Sequence, residues 1–441
     1  MMSSPAPPET VMRLRYGVNE SDSWRHFALG AERERIWART RDLNLSIIRI
    51  FAFDKNAPDP IPDWPAYRAY IQAVLNVGAT PMITFAGFRR PFDDPRAVRW
   101  FAEQCSELAW SCVEEWGGEA VRDWLWCVWN EPNNEWIGGG ITFEQYRSVY
   151  EQTAQSIVRS LQPWLGARRP RIGGPSVEGF DPFWRDWVWR FVNEIDNSLI
   201  GFVNWHYYVE WRDQGEEGAP AAEALHRDLI MAQTAEYEAR ARLVARLLKD
   251  PVIWNLCGEW NAHSHYLPSV RARFNQSTFG AAYGASALMH LMRGGAHAEI
   301  LWTGTDDACG YGILDKNAAP TPLYFAKWLC SRFVRYGDSL RFPVRWPRNR
   351  EVDAVVAEGE GGRRSILMAH LRDEPAEYSI SELSADLAGC HTLLKIDGET
   401  RNQVIAATCH GTLSFQGYGV AVATNVDGSD GGSFGHDWPT G

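Results

Sequence analysis

The chain has 441 residues, 45% of them apolar and 22% charged, which is the balance of a globular protein and excludes a disordered or fibrous one. Its 44 basic and 55 acidic residues leave a net charge of −11, which argues against nucleic acid or an anionic membrane surface as a partner. A chain this long exceeds what one core usually fills, so a domain of about 300 residues with a smaller companion is expected.

The opening segment Met1-Met-Ser-Ser-Pro-Ala-Pro-Pro8 lacks the basic and apolar stretches of a secretory signal, so a cytoplasmic location is expected unless a signal has been trimmed. No apolar run reaches the length of a membrane span. Residues 1–12 are expected to be a disordered lead-in, and the Gly/Ser/Asp-rich residues 427–441 a flexible tail. A homo-oligomer stays open.

From about Leu14 to Leu329 short apolar runs alternate with longer amphipathic stretches, the pattern of parallel strands covered by helices. Eight runs stand out: Arg15–Val18, Ser46–Phe51, Thr80–Phe85, Trp124–Trp129, Arg171–Gly173, Ile200–Trp205, Val252–Cys257 and Glu299–Trp302. Eight strands at this spacing predict an α/β fold, a (β/α)8 TIM barrel over residues 13–332. The helices between them carry punctuation. Ala66–Val77 stops at Gly78, Thr142-Phe-Glu-Gln145 has the form of a capping box, and Glu223–Leu248 reads as one helix with a solvated charged face. No Gly-x-Gly-x-x-Gly follows the first strand, which disfavours a dinucleotide-binding fold. Beyond Trp328 short alternating segments such as Ser365–Ala369, His391–Ile396 and Gly417–Ala423 are broken by Gly-rich turns. They predict a small antiparallel β-sandwich over 333–426 that braces the barrel.

Eight cysteines (Cys105, Cys112, Cys127, Cys257, Cys309, Cys330, Cys390, Cys409) form no C-x-x-C pair, so reduced thiols are expected in place of a zinc or redox site. His263 and His265 are two apart with no third ligand nearby, and no metal or other cofactor is expected. The 22 tryptophans are unusual. Most must serve as packing, but indoles near strand ends can stack on the C–H faces of sugar rings.

The chemistry concentrates where two apolar runs end. Trp124–Val128 opens into Trp129-Asn-Glu-Pro-Asn-Asn-Glu-Trp136, and Val252–Cys257 into Gly258-Glu-Trp-Asn261. A carboxyl held between indoles is poorly solvated and keeps its proton toward neutral pH, as a general acid must. Strand ends of a barrel converge at one face, so Glu131 and Glu259 can meet there. Two carboxyls roughly 5–5.5 Å apart suit retaining hydrolysis of an acetal, with Glu131 as acid/base and Glu259 as nucleophile.

Trp129-Asn-Glu-Pro-Asn133, Ile172-Gly-Gly-Pro175, the His206-Tyr207 step and Gly258-Glu-Trp260 resemble the clan A glycoside hydrolases, most closely family 39. The resemblance implies the same two roles for Glu131 and Glu259, with Asn130 holding the sugar 2-hydroxyl. One departure touches specificity. Family 39 xylosidases tend to carry Arg-Phe-His after the second strand, and here Arg49-Ile-Phe51 keeps only the arginine. Arg49 either orients an ionised Glu259 or is a barrel-lining ion pair. His206 either contacts the nucleophile or a hydroxyl, or is a structural histidine. Tyr208 and Trp260 are further substrate-binding candidates, and Trp302 is placed to floor the sugar subsite. Glu135 and Glu178 are rim contacts at most, and Asp306 and Asp307 read as a solvated loop pair.

The reading is therefore a retaining glycosidase with a carbohydrate substrate, exo-acting on a β-xyloside-like glycoside. Two alternatives stand beside it: an endo-acting glycanase with an open, indole-lined cleft, and a carbohydrate-binding barrel without chemistry.

Overall fold

The computed structural model describes residues 10–53, 61–87, 93–209, 220–265, 267–343, 351–383, 390, 392–400, 405–408 and 411–426. The expected tail 427–441, residues 1–9 of the lead-in, His391 and Cys409 lie outside them.

All eight expected runs are strands of one closed parallel barrel: β1 (Arg15–Asn19), β2 (Ile47–Ala52), β3 (Thr80–Phe85), β4 (Leu125–Val128), β5 (Ile172–Val177), β6 (Phe202–Tyr208), β7 (Trp254–Asn261) and β8 (Ala298–Leu301). β8 closes on β1 with Arg15 opposite Ala298. Three strands run well beyond their apolar segments: β5 by four residues, β6 by three and β7 by four. Their added ends are buried although several of the residues are polar.

The alternation of side chains along the strands explains why. The barrel floor is apolar, packed by Ile47, Met82, Leu125, Phe202, Leu256 and Ile300. Two residues further along, the same inward parity delivers Arg49, Thr84 and Asn204, all fully buried, and beyond these His206 and Tyr208. The barrel is thus a hydrophobic plug with a polar layer above it, at the carboxyl ends of the strands.

Outside the strands the helices follow local rules. Asp63 accepts from the Ala66 N–H and starts helix Trp64–Asn76, after which Gly78 takes a left-handed φ of +81°. Thr142 and Gln145 exchange both capping-box bonds at the head of helix Phe143–Leu165. The single helix expected over Glu223–Leu248 is two, Pro220–Ala232 and Ala235–Leu247. The break has a cause in Thr234, whose hydroxyl donates to the Met231 carbonyl and lies 2.8 Å from the Ser286 hydroxyl, while Gln233 accepts from Tyr207.

The C-terminal region forms two antiparallel sheets. The larger has seven strands in the order Thr10–Val11, Ser339–Arg341, Val352–Glu358, Arg364–His370, Gly419–Thr424, Thr392–Ile396, Ile405–Thr408, and the smaller pairs Ala376–Ser379 with Thr412–Phe415. Thr10 and Val11, expected in the disordered lead-in, instead pair with Leu340 and Ser339. Backbone pairing across the sheet edge orders this segment where its composition gave no such sign. Alternation again sorts the contacts: Ala354, Val356, Ile366 and Met368 pack with Leu413 and Phe415 between the sheets, whereas Val355, Leu367 and Val422 join the core shared with the barrel helices.

A buried ionic clamp fastens this sheet to helix Thr278–Gly294. His290 Nδ1 lies 3.0 Å from Glu238 and its Nε2 3.3 Å from Asp353, which also accepts from Ser286 at 2.5 Å. Burial alone would lower the His290 pKa, but the two carboxylates reverse this and raise it, and His290 in turn holds both carboxyls below their ordinary values against burial. The histidine's contribution is complete below its unfolded pKa near about 6.5 and is lost as the pH rises through the raised folded value. The carboxylates contribute above about 4 and lose that contribution as the pH falls through their lowered values. His290→Gln should therefore cost about 1–3 kcal/mol in urea unfolding at pH 6 and less at pH 9. An equal cost at both would show that the contact is not ionic.

Candidate active site

The loop after β4 presents Glu131 on a constrained backbone. Trp129 and Glu131 take positive φ of +75° and +47°, a conformation non-glycine residues adopt only where their surroundings enforce it. Here the enforcement is visible: Glu131 N–H donates to the Ser176 carbonyl, Trp129 N–H to Phe85, and the Trp129 indole N–H to Gly138. A Cβ on Gly138 would stand 1.9 Å from the Glu131 carbonyl oxygen, so only glycine lets the loop fold back over the acid.

Glu259 depends on a different device. The β6–β7 register runs Trp205 opposite Cys257 and then His206 opposite Glu259, so Gly258 is an extra residue. Leu256 faces the lumen, and without this bulge Glu259 would have the wrong parity and point to the helix layer. A Cβ at Gly258 would lie 1.9 Å from the Asn204 side-chain oxygen.

The result is that Glu131, His206 and Glu259 each bring a donor atom within 4.8 Å of the others. Three such groups have the spacing of cation ligands, but Arg49 already supplies positive charge to Glu259. Its Nη1 is 2.5 Å from Glu259 Oε1, Nη2 is 2.7 Å from Asn130 Oδ1, Nε is 2.8 Å from Thr84 Oγ1, and Nη1 also reaches Asn19 Oδ1 at 3.3 Å. The Tyr208 hydroxyl donates to Glu259 Oε2 at 3.0 Å. Glu131 receives neutral partners only. His206 Nδ1 lies 2.8 Å from Oε1, and the Asn134 amide donates to Oε2 at 3.2 Å.

These surroundings separate two buried carboxyls. Burial, then the charges of Glu259 and Glu178, push Glu131 well above the ordinary glutamate range. Burial also raises Glu259, but the Arg49 charge and the bonds from Arg49 and Tyr208 pull it back. Glu131 is the carboxyl that keeps its proton and Glu259 the one that gives it up first. Burial followed by the Arg49 charge holds His206 well below the usual histidine range, so the imidazole is neutral.

Both glutamates open into a cavity of about 800 Å³, whose wall includes Asn130, Tyr208 and Trp302. Trp302 meets Phe51 edge-on at 5.7 Å between ring centroids. Arg49 can only donate, so the Asn130 amide oxygen faces it and the NH2 group is left for the cavity. Arg49 and His206 act on the carboxylates from beneath and are not part of the wall. Trp260, expected to touch substrate, does not reach the cavity. Adjacent strand residues face opposite ways, so with Glu259 inward Trp260 turns to the helix layer and donates to Glu299 Oε2 at 2.8 Å.

Glu135 and Glu178 stand at the rim as expected. The solvated pair does not hold for Asp306, which is buried and accepts from the N–H groups of Cys309, Tyr311 and Gly312, while Asp307 is exposed and pairs with Lys316 and His26. His263 shares a 3.1 Å ring contact with His226 and accepts from the His265 N–H. Sequence reasoning missed Asn19, Thr84, Asn134 and Gly258. Their only signal was polar or glycine residues at lumen parity beside the apolar runs.

The site's surroundings have known counterparts. Residues 69–290, half of the chain, match the sequence pattern of glycosyl hydrolases family 39. The chain belongs to that family. It is 25% identical over 330 residues to a β-xylosidase of Caldicellulosiruptor saccharolyticus, covering 70% of this chain and 59% of that protein. A β-xylosidase of Geobacillus stearothermophilus is 34% identical over 99 residues, 22% of this chain and 18% of its own. This family 39 chain therefore spans well under two thirds of the curated relatives it matches. In fold it resembles the crystal structure of a monomeric β-xylosidase from Caulobacter crescentus CB15, with a TM-score of 0.65 at 16% identity over 95% of this chain and 97% of that one. Among the described residues no helix is long and apolar enough to cross a membrane.

Arg49→Lys keeps the charge but loses the fork that grips four partners, and Tyr208→Phe removes one bond to Glu259. Each of these contacts favours ionised Glu259, so both variants should raise its pKa and move the acidic limb of the kcat/KM pH profile upward. Arg49→Lys should also cost about 10²-fold in rate. Thermal melts check folding, and an unmoved limb in both variants would refute the electrostatic role.

Proposed function

We propose that the protein is a retaining glycosidase acting by double displacement, with Glu131 as acid/base and Glu259 as nucleophile. The observation that carries this is the close facing of two carboxyls with opposite surroundings, one against Arg49 and Tyr208 and the other against a neutral imidazole and an amide. One oxygen of each carboxyl lies within 4.8 Å of the other, which supports a retaining pair, with carboxyls roughly 5–5.5 Å apart, over an inverting one at roughly 6.5–9.5 Å.

Glu259 attacks the anomeric carbon while Glu131 protonates the departing oxygen. A covalent glycosyl ester forms on Glu259, and the aglycone leaves as an alcohol. Glu131, now ionised, takes a proton from water, which attacks the same carbon and frees Glu259. His206 in its Nδ1–H form donates to Glu131 Oε1, which leaves Oε2 to carry the acid proton. The Asn130 NH2 group holds the sugar 2-hydroxyl, a bond that strengthens as positive charge builds on the ring. Trp302 floors the sugar.

For the substrate we favour a β-xyloside-like glycoside cleaved from its end. The support is family membership and the β-xylosidases to which the chain is similar. The fall of activity at low pH then reports Glu259 and the fall at high pH reports Glu131. Glu259→Ala should lower turnover of an activated aryl β-xyloside by at least 10⁴-fold, an order of magnitude set by loss of covalent catalysis. Added azide should restore part of it as the α-configured glycosyl azide, seen by NMR. Wild-type turnover in the variant would end the assignment.

A further inference from the structure

The cavity has a feature that neither carboxyl requires. Trp136 is 89% exposed, the most exposed large apolar side chain of the described residues, and it lines the same cavity as Glu131 and Glu259 together with Ile137. Leaving a whole indole in water is costly, and a braced indole beside a cavity is a platform for a ring.

The bracing is specific. Asn134 Oδ1 accepts from the backbone N–H groups of Trp136 and Ile137 at 2.9 and 3.2 Å, while its NH2 group donates to Glu131 Oε2. One amide therefore fixes the backbone that carries the indole relative to the acid's reactive oxygen. The N–H groups of Gly138 and Gly140 both return to the Asn134 carbonyl, and Asn133 ties the loop to the next one through Asp181 at 2.9 Å and the Glu178 N–H.

Position decides which part of a substrate would use the platform. The acid protonates the leaving-group oxygen, so the leaving group lies on the Glu131 side, and Trp136 belongs to the Glu131 loop. Charge narrows the chemistry: Glu135, Glu178 and Asp181 stand around this part of the wall, which disfavours a uronic acid. Resting on the proposed hydrolysis, we propose that Trp136 forms the leaving-group subsite and stacks on an uncharged pyranose unit directly downstream of the scissile bond.

The test compares two substrates of one glycone in wild type, Trp136→Ala and Trp136→Phe. For a disaccharide, glycosylation includes release of the downstream sugar, and Trp136→Ala should lower kcat/KM at least tenfold, with partial recovery in Trp136→Phe. For the dinitrophenyl glycoside at saturation, breakdown of the glycosyl ester limits the rate after the aglycone has gone, and kcat should stay within twofold of wild type. An undiminished kcat/KM on the disaccharide, or equal losses on both substrates, would overturn the subsite. A wild-type protein inert toward both would instead remove the hydrolytic reading and this one with it, whereas an active wild type whose Trp136 variants behave like it removes the subsite alone.

Discussion

The buried guanidinium of Arg49 is the interaction on which the rest of the site depends. It rises from β2 into the lumen and bonds to residues at the ends of β1, β3 and β7 and in the loop after β4. A charge taken this far out of water is tolerated only when its donors are satisfied and a counter-charge is close. Glu259 supplies that charge, and Thr84, Asn19 and Asn130 supply the acceptors. The need runs both ways, because a fully enclosed Glu259 without Arg49 would be driven to protonate. Satisfying the buried arginine and keeping Glu259 ionised are thus one electrostatic requirement. A lysine, with a single point of charge, cannot grip all four partners at once.

From that centre the asymmetry of the two carboxyls follows without a separate device for each. The fork of Arg49 turns to Glu259 and to the Asn130 oxygen, and nothing cationic reaches Glu131 directly. Its partners are an imidazole kept neutral by burial and by that same arginine, and an amide. One cation therefore draws Glu259 down, helps burial hold the histidine uncharged and, with no direct bond to Glu131, lowers that carboxyl too little to offset burial and the neighbouring carboxylates. The apolar plug beneath gives this layer its low dielectric.

How much of this was legible in the sequence can be read residue by residue. The barrel was, because eight buried strands leave eight apolar runs, and so were Glu131 and Glu259, because each follows such a run between tryptophans. The strand ends were not. Ser176, His206 and Tyr208 are polar residues inside the barrel, and a reading that equates polarity with a loop stops short of them. Trp260 was misplaced by proximity to Glu259 in sequence, where strand geometry sends neighbours to opposite faces. Gly258 explains why Glu259 has the parity it has, and a single glycine between cysteine and glutamate does not announce a bulge. Asp306 looked solvated because most of its partners are backbone N–H groups of its own loop, joined by the distant Gln276 amide, which no local side-chain pattern encodes. Thr234 ended a helix for a similar reason: its hydroxyl competes for a carbonyl only once the chain is folded around Ser286.

The departure at Phe51 acquires a physical meaning in the folded chain. The ring lines the cavity, stands edge-on to Trp302 and has its centroid 4.6 Å from the Arg49 guanidinium. A histidine at that point would offer a hydrogen bond to a substrate hydroxyl, and phenylalanine offers none. A hydroxyl buried against it forfeits a partner, at a cost of about 1–3 kcal/mol, whereas a ring C–H face does not. The same ring sits over the charge of Arg49, which it helps to shield from the cavity. Phe51 therefore belongs both to the wall of the cavity and to the packing around the central cation, so a change at this position alters the cavity's hydrogen-bonding capacity and the surroundings of Arg49 together.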